Sequence, residues 1–387
     1  MVLSAFTLPS SWALQLLVAI LGLITGSFLN AVIHRLPRGI SLLNPSRSFC
    51  PSCQKMIPWH ENLPLASWVL LRGRCSGCAL PISTRYPLVE LLSAGLYLLA
   101  WNRFGLPLAV VFWIFLSMLV AATFIDLDHL IIPDEITLGG TAAGLCCATL
   151  LPNLVGASCW WQGFLCSLLG GAVGYCLLWG VVELGKQAFG QRRIHSKEPC
   201  AFEILTKHEG TVQQRYLIVG EEELALEEVF YRTSDRVEAV CEWIEISGKR
   251  LGNGRLILDQ ESIKFEGREW PLGEVSTIRA EVTDLILPRE AMGFGDVKFL
   301  AFIGTFLGWK GALFSLFAGS IAGAVLGLGL LMVTRGRSGG RIPFGPYLAM
   351  GAALWVFAGP YLVSLYCTRL HGVEGQAFFL SPLHLPV

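Results

Sequence analysis

The stretch LPLAVVFWIFLSMLVAATFI, residues 106–125, contains no charged side chain and is followed directly by Asp126. A helix needs about 20 apolar residues to cross the roughly 30 Å hydrocarbon core of a bilayer, so this stretch predicts a transmembrane helix. The sequence therefore predicts an all-α polytopic membrane protein with about eight transmembrane helices. The other seven apolar runs lie at residues 11–33, 87–102, 135–151, 161–184, 297–309, 311–333 and 343–366.

Composition supports this fold class. Of the 387 residues, 53% are hydrophobic and only 15% are charged, whereas soluble domains carry about 25% charged residues. The formal net charge is zero, which offers no electrostatic basis for binding nucleic acid. Membrane lipid is the expected surrounding, and no nucleic acid partner is expected.

The placement of positive charge predicts the orientation. No Lys or Arg precedes the first apolar run, whereas Arg35 and Arg38 follow it. Positive loops stay in the cytoplasm, so the N-terminus is expected outside and residues 34–86, 126–134, 185–296 and 334–342 inside. The predicted organisation is a first helix (1–33), a cytoplasmic module (34–86), helices two to five (87–185), an inserted domain (186–290) and helices six to eight (291–387).

The cytoplasmic module contains Cys50-Pro-Ser-Cys53 and Cys75-Ser-Gly-Cys78. Two such pairs form the usual arrangement of a zinc ribbon, because each tight turn presents two thiolates to one tetrahedral ion. A closed set of four thiolates indicates a structural Zn²⁺ rather than a catalytic one. The alternatives are two disulfides or four reduced thiols, and a cytoplasmic location argues against stable disulfides. The remaining cysteines are read as structural or neutral: Cys146, Cys147, Cys159, Cys166, Cys176, Cys200, Cys241 and Cys367.

Two aspartates are predicted to reach the same membrane depth. Asp126 follows the third apolar run and Asp296 opens the sixth, both at the cytoplasmic boundary. Two close carboxylates cannot both ionise cheaply, so they hold one proton between them. The ionised member can then activate water, while the protonated member polarises a carbonyl and later protonates a leaving amine. The pair is the predicted catalytic centre of an aspartyl protease.

The neighbours of these aspartates receive other interpretations. Asp128 is expected to be a juxtamembrane polar residue, and His129 a polar loop residue rather than a ligand. Asp134 follows Pro133 and is interpreted as the N-cap of the fourth span. Gly293 and Gly295 flank Phe294 in an active-site loop, where glycine permits a tight bend beside Asp296.

The inserted segment 186–290 has the alternating pattern of β-strands. Residues 240–246, 255–258 and 262–265 alternate apolar and polar positions, which predicts short antiparallel strands in a small β-rich cytoplasmic domain. Residues 252–254 are interpreted as a turn, and Glu221 to Glu228 as a short acidic helix or loop. The insert is read as either a tolerated addition or an element that selects substrates or regulates the enzyme.

Taken together, these motifs resemble the type IV prepilin peptidase family. The matching blocks follow in family order: Gly26–Pro37, the two cysteine pairs with Ile57–Trp59 and Asn62–Pro64 between them, Ser83–Glu90, Asp126 with Pro133 and Asp134, Gly293–Lys298, and Ile342–Pro346. In most members of the family the loop before Gly293 is short, so the insert is a departure from the pattern.

The resemblance implies a bifunctional enzyme of the bacterial cytoplasmic (inner) membrane. Such an enzyme removes the short leader of type IV prepilins or type II secretion pseudopilins on the cytoplasmic side. It then N-methylates the new N-terminus with S-adenosylmethionine. The catalytic pair of the family corresponds to Asp126 and Asp296, whereas no residue of this sequence can be assigned to methylation on this basis.

Two other classes of function are alternatives to this enzyme. A proton or cation transporter would place its acids near the midplane of broken helices, whereas these acids lie at the edge. A catalytically silent scaffold for pilus or secretion-system assembly would use the cysteine module and the insert without needing the aspartates. The sequence predicts neither the individual pilin substrates nor the oligomeric state.

Overall fold

The computed structural model describes residues 12–44, 47–189, 191–209, 212–220, 222–230, 235–275, 277–288, 293–333 and 343–371. The chain divides into two compact units. One contains Met1–Trp179 together with Gly293–Val387, and the other contains Gly180–Met292. The predicted loop 334–342, the start of the predicted first segment, residue 221 of the acidic segment and the side chain of Cys367 lie outside the described residues.

The first unit is built mainly from long apolar helices. The α-helices of the described chain are α1 (Trp12–Arg35), α2 (Ala66–Leu70), α3 (Arg85–Phe104), α4 (Leu108–His129), α5 (Asp134–Leu150), α6 (Trp160–Phe189), α7 (Leu226–Val229), α8 (Phe294–Val333) and α9 (Gly345–His371). All of them except α7, and the end of α6, belong to the first unit. Their long apolar runs explain the helices, because a helix satisfies its own backbone hydrogen bonds in lipid.

Five helical segments of the described chain are long and apolar enough to span a membrane. They are Trp12–Arg38, Leu108–His129, Trp160–Lys186, Phe294–Gly329 and Gly345–Leu365. The protein is thus polytopic, but the prediction of about eight spans is not confirmed. Two predicted spans coincide with α3, which carries Arg85 and Glu90, and with α5, which has only 17 residues. The predicted sixth and seventh spans form one element, α8, which breaks at Gly308 with φ of 68°.

Small residues let the helices approach closely. A Cβ atom on Gly304 of α8 would lie 2.1 Å from the carbonyl oxygen of Gly170 on α6. Near this contact, the Ser167 hydroxyl donates a 2.7 Å hydrogen bond to the Thr305 carbonyl. Similarly, a Cβ atom on Gly26 of α1 would lie 2.6 Å from the Cα atom of Glu90 on α3. These contacts account for the frequent glycines, since small residues allow membrane helices to pack backbone against backbone.

The second unit is an antiparallel β-domain, as predicted. Its strands are β1 (Gln191–Glu209), β2 (Val212–Val219), β3 (Glu222–Ala225), β4 (Val237–Ile246), β5 (Lys249–Leu251), β6 (Gly254–Leu258), β7 (Ser262–Phe265), β8 (Arg268–Pro271) and β9 (Ile278–Pro288). The sheet order is β3-β2-β1-β9-β4-β6-β7-β8, and β5 pairs with β4. Alternate apolar side chains of these strands form one buried cluster, which includes Phe202, Val237, Leu258 and Leu285.

The three predicted strands at 240–246, 255–258 and 262–265 are confirmed as parts of β4, β6 and β7. The prediction for residues 221–228 is partly wrong, because Glu222–Ala225 is strand β3 and only Leu226–Val229 is helical. Pairing with β2 decides this local structure, and such pairing overrides the low strand preference of glutamate.

Candidate active site and metal centre

Asp126 lies in the last turn of α4 and is 5% exposed. Its Oδ2 atom accepts a 2.9 Å hydrogen bond from the backbone N–H of Gly345, the first residue of α9. Residue 345 must be small, because a Cβ atom there would lie 2.6 Å from the same carboxylate oxygen. The start of α9 thus provides a free N–H group that holds the Asp126 carboxylate in place.

Asp296 lies in the first turn of α8 and is 9% exposed. Its backbone N–H donates to the carbonyl of Gly293 at 3.2 Å, which closes the Gly293-Phe-Gly turn in front of it. Within the described part of the chain, the Oδ1 atom of Asp296 is buried and has no hydrogen-bond partner. Buried carboxylate oxygens normally have a partner, so this atom marks a place where a water or a substrate group would bind.

The structure brings the two aspartates together. Ile132, in the turn between α4 and α5, contacts both sites. Its Cβ atom lies 3.4 Å from the position of a Cβ on Gly295, and its Cδ1 atom lies 3.0 Å from that of a Cβ on Gly345. Both aspartates thus lie near Ile132 at the same end of the helix bundle. That their carboxylates share a proton as a catalytic pair stays a prediction.

The neighbouring acids form ion pairs instead of joining this pair. Asp128 pairs with Arg85 at the start of α3, in agreement with a juxtamembrane polar role. The prediction that Asp134 is an N-cap is wrong, because Asp134 is the first residue of α5 and Pro133 occupies the cap position. Its carboxylate accepts bonds of 2.7 and 2.9 Å from the Lys298 ammonium group instead. His129 ends α4 rather than lying in a loop.

This arrangement can support general acid–base chemistry. The Asp126 carboxylate is oriented by an N–H donor, while the Oδ1 atom of Asp296 accepts no hydrogen bond from any described residue. One shared proton leaves one member able to accept a proton from water and the other able to donate one. Of the two glycines predicted to form an active-site loop, Gly293 precedes α8 and accepts the hydrogen bond from Asp296, whereas Gly295 lies in the first turn of α8 rather than in a loop.

The four predicted cysteine ligands form one cluster. The Sγ atoms of Cys50, Cys53, Cys75 and Cys78 all lie within 4.8 Å of one another. The cross-pair separations are 3.9 Å for Cys50–Cys78 and 4.0 Å for Cys53–Cys75. A tetrahedral Zn²⁺ with zinc–sulfur bonds of about 2.3 Å requires sulfur–sulfur distances of about 3.8 Å. The two separations match that requirement, so the cluster is of the size that a tetrahedral zinc site needs.

Each cysteine pair sits in the same type of turn. The N–H of Cys50 donates to the Lys55 carbonyl at 3.0 Å, and the N–H of Cys75 donates to the Leu80 carbonyl at 2.9 Å. Backbone N–H groups of Cys78 and Gly77 also hydrogen-bond the Cys75 sulfur and lower the pKa of that thiol to about 6. These N–H groups therefore favour the thiolate form of Cys75, which is the form that zinc binds.

The sequence prediction missed three features of this region. The first is the hydrogen bond from Gly345, which the sequence identifies only as part of the matching block Ile342–Pro346. The Gly-Pro pair at the start of a helix is a signal for a free N–H donor at this position. The Asp134–Lys298 ion pair was also missed, because its partners are distant in sequence. The third is a cavity of about 350 Å³ beneath the cysteine cluster, which is lined in part by Asn30 and Glu90.

Comparisons with known proteins agree with this arrangement. Two family models match the chain: "Bacterial Peptidase A24 N-terminal domain" over residues 20–104, and "Type IV leader peptidase family" over residues 113–191 and 275–328. The second match is interrupted across most of the β-domain. The first includes all four cysteines, and the second includes both Asp126 and Asp296. No solved structure matches the chain.

Several curated relatives carry one name, "Prepilin leader peptidase/N-methyltransferase". The protein of that name from Aeromonas hydrophila is 30% identical over 92% of this chain and 95% of its own length. The one from Stutzerimonas stutzeri is 27% identical over 93% and 96%. A third, from Myxococcus xanthus, is 45% identical over 157 residues, which are 40% of this chain and 44% of that protein.

Proposed function

This chain belongs to the type IV leader peptidase family, and we propose that Asp126 and Asp296 are the pair with which it cleaves prepilin leader peptides. It is an aspartic endopeptidase that also N-methylates the new N-terminus of its product. The assignment of the pair rests on the Oδ1 atom of Asp296, which is buried and has no hydrogen-bond partner among the described residues. The carboxylate of Asp126, at the same end of the bundle, is oriented by the N–H of Gly345. Type IV prepilins or type II secretion pseudopilins are the proposed substrates.

The proposed reaction needs one water and one shared proton. The ionised carboxylate removes a proton from the water, which attacks the scissile carbonyl carbon. The protonated carboxyl donates a hydrogen bond to the carbonyl oxygen and then transfers its proton to the leaving amine as the C–N bond breaks. The products are the leader with a free carboxylate and the pilin with a free amino group, which the second activity methylates.

The proposed membrane arrangement has eight crossings. It treats α3 and α5 as short spans and counts α8 twice, because Gly308 breaks its helical path. Arg35 and Arg38 follow the first span, so the end of the bundle that carries both aspartates faces the cytoplasm of the inner membrane. A prepilin could then keep its apolar helix in lipid while its leader stays in water.

Two bound groups complete the proposal. The four cysteines hold a structural Zn²⁺, as supported by their sulfur–sulfur distances. S-adenosylmethionine supplies the methyl group for the second activity, which its relatives' names include. Neither group takes part in peptide cleavage, because the carboxylate pair supplies both the base and the acid.

The test replaces each aspartate with its uncharged isostere. Asp126→Asn and Asp296→Asn should each lower leader cleavage by at least about a hundredfold, the usual contribution of a general acid or base. Asp128→Asn is the matched control, because its carboxylate binds Arg85 outside the pair. Processing of a co-expressed prepilin is followed by mass spectrometry of its N-terminus. Normal cleavage by either catalytic variant would show that the pair is misassigned.

A further inference from the structure

The cavity beneath the cysteine cluster has no role in peptide cleavage as described above. It has a volume of about 350 Å³ and is lined by residues of α1, α3 and the cysteine module, among them Cys50 and Cys75. Cavities of about 300–1,000 Å³ that combine apolar walls with a few polar groups are typical small-molecule sites. The aromatic side chains of Phe49, Trp68 and Tyr86 contribute to its walls, and such faces can stack on a planar base.

The cavity wall contains a buried carboxylate that lacks a counter-charge. Glu90 is 7% exposed, and its Oε2 atom accepts a 2.8 Å hydrogen bond from the backbone N–H of Leu65. None of the ion pairs between described residues includes Glu90. The wall also contains the cations Arg35 and Lys55, but Lys55 pairs with Glu61 and Arg35 donates to the backbone carbonyls of Ser41 and Arg47. Burying a charge is costly without a partner, so the Glu90 carboxylate favours a positively charged group of a ligand.

A second polar group in the wall lacks a partner. Asn30 is 2% exposed, and its Nδ2 group donates to the Tyr86 carbonyl at 3.1 Å. Its Oδ1 atom is buried and has no hydrogen-bond partner among the described residues. A buried amide oxygen of this kind is normally satisfied, so it is available to a donor such as an ammonium or an exocyclic amine.

The cavity also lies at the end of the helix bundle that carries the aspartates. Tyr86 lines the cavity, and the preceding Arg85 forms an ion pair with Asp128. Asp128 follows Asp126 by two residues on α4. A methyl donor bound in the cavity would therefore be on the same side of the membrane as the newly formed pilin N-terminus.

We propose that this cavity binds S-adenosylmethionine, with Glu90 as the counter-charge to its positively charged methionyl part and Asn30 as a hydrogen-bond acceptor. The inference rests on the methyltransferase half of the proposed function. The donor combines a positive charge, hydrogen-bond donors and a planar adenine, and the wall offers a carboxylate, an unpaired acceptor and aromatic faces for these groups. In methylation, the lone pair of the pilin amine forms a bond to the methyl carbon. The carbon–sulfur bond breaks at the same time, and its electrons remain on sulfur. The methylated amine then releases a proton to water.

The first measurement uses the unaltered chain in detergent with its leader-cleavage activity intact. Hydrogen–deuterium exchange is recorded with and without S-adenosylmethionine. We expect slower exchange in residues 62–68 and 86–90 and no change in the β-domain. A wild-type chain that binds the donor but is protected only elsewhere would overturn the site and leave the proposed function standing.

Two variants then address the cavity directly, and both are read out by equilibrium dialysis with labelled S-adenosylmethionine. Glu90→Gln should weaken binding at least tenfold, and Glu242→Gln, an exposed change in β4, should not. Ala31→Phe, which fills the cavity, should abolish binding, whereas Ala19→Phe on the same helix should not. Zinc content establishes that each variant is folded.

The outcomes separate the two levels of the proposal. Unchanged binding by folded Glu90→Gln and Ala31→Phe would place the donor elsewhere. A wild-type chain that cleaves leaders but neither binds the donor nor methylates pilins would instead overturn the methyltransferase half of the proposed function, and the site with it.

Discussion

Asp134 and Lys298 form an ion pair that joins the first turn of α5 to the first turn of α8. Lys298 follows Asp296 by two residues, so the pair restrains the turn that carries this carboxylate. The Lys298 side chain also lies over the Phe294 ring, 5.5 Å from its centroid. We therefore expect the pair to position Asp296 rather than to take part in the acid–base chemistry.

Lys298→Met should lower the rate of leader cleavage by a modest amount. The side chains of the pair are 25% and 56% exposed, and such pairs contribute about 1 kcal/mol or less, so the loss should be about fivefold at most. Exchanging the charges with Asp134→Lys and Lys298→Asp should recover part of the rate. Lys249→Met, in β5, is the control. Equal cleavage by wild type and Lys298→Met in low salt would remove any positioning role.

At the scale of elements, we expect the cysteine module to depend on a bound metal. Its two cysteine turns are held by a few backbone hydrogen bonds, and many of its apolar residues, among them Trp59, Leu63 and Leu70, are exposed. With so little apolar burial, metal binding would supply much of the free energy of folding.

Removal of zinc should unfold this module. Purified protein should contain one zinc per chain, and Cys53→Ser or Cys75→Ser should remove it. Cys166→Ser, at an exposed cysteine on α6, is the matched control. The measurements are metal analysis and alkylation of thiols before and after chelation. A metal-free protein whose four thiols react freely, yet which retains its activity, would contradict the structural role.

The contact between α6 and α8 gives a prediction about helix packing. Gly304→Ala would place a methyl group 2.1 Å from the Gly170 carbonyl oxygen, so the helices must separate. Overpacking of this kind typically costs about 1–3 kcal/mol, and thermal unfolding in detergent should shift to lower temperature. Gly139→Ala on α5 is the control, because a Cβ atom there meets nothing within 4 Å. An unchanged unfolding temperature for Gly304→Ala would show that this contact is not tight.

At the scale of the whole molecule, the β-domain has the properties of a separable unit. Its strands form one sheet with its own buried core. The first residue of β1 pairs with the last residue of β9, Gln191 with Pro288, so the domain enters and leaves at adjacent positions. An insertion with adjacent ends can be accommodated without stretching the helices on either side.

Replacing residues 191–288 with a short Gly-Ser linker should therefore leave a chain that still inserts, binds zinc and cleaves leaders. Processing of several co-expressed pilins by the shortened chain is compared with that by the full chain, using mass spectrometry. Cleavage of all of them at comparable rates would support a tolerated insertion. Loss of particular substrates, with zinc content unchanged, would show instead that the domain selects among pilins.

The sequence by itself determined the membrane class, the four-cysteine set and the strands of the insert. These are local properties, since an apolar run, a pair of close cysteines and an alternating pattern each act within a few residues. The motif order also predicted Asp126 and Asp296 as the catalytic pair, and this assignment stays a prediction.

Only the tertiary structure decided which distant groups meet. The N–H of Gly345 donates to the carboxylate of Asp126, which is 219 residues away in the sequence. The carboxylate of Asp134 binds Lys298, although local capping rules predict that it caps a helix. Glu90 and Asn30 become a cavity wall only when α1 and α3 pack beneath the cysteine module. Long-range packing sets these partners because a buried polar group takes whichever donor or charge the fold brings within about 3 Å, and local sequence does not encode that distance.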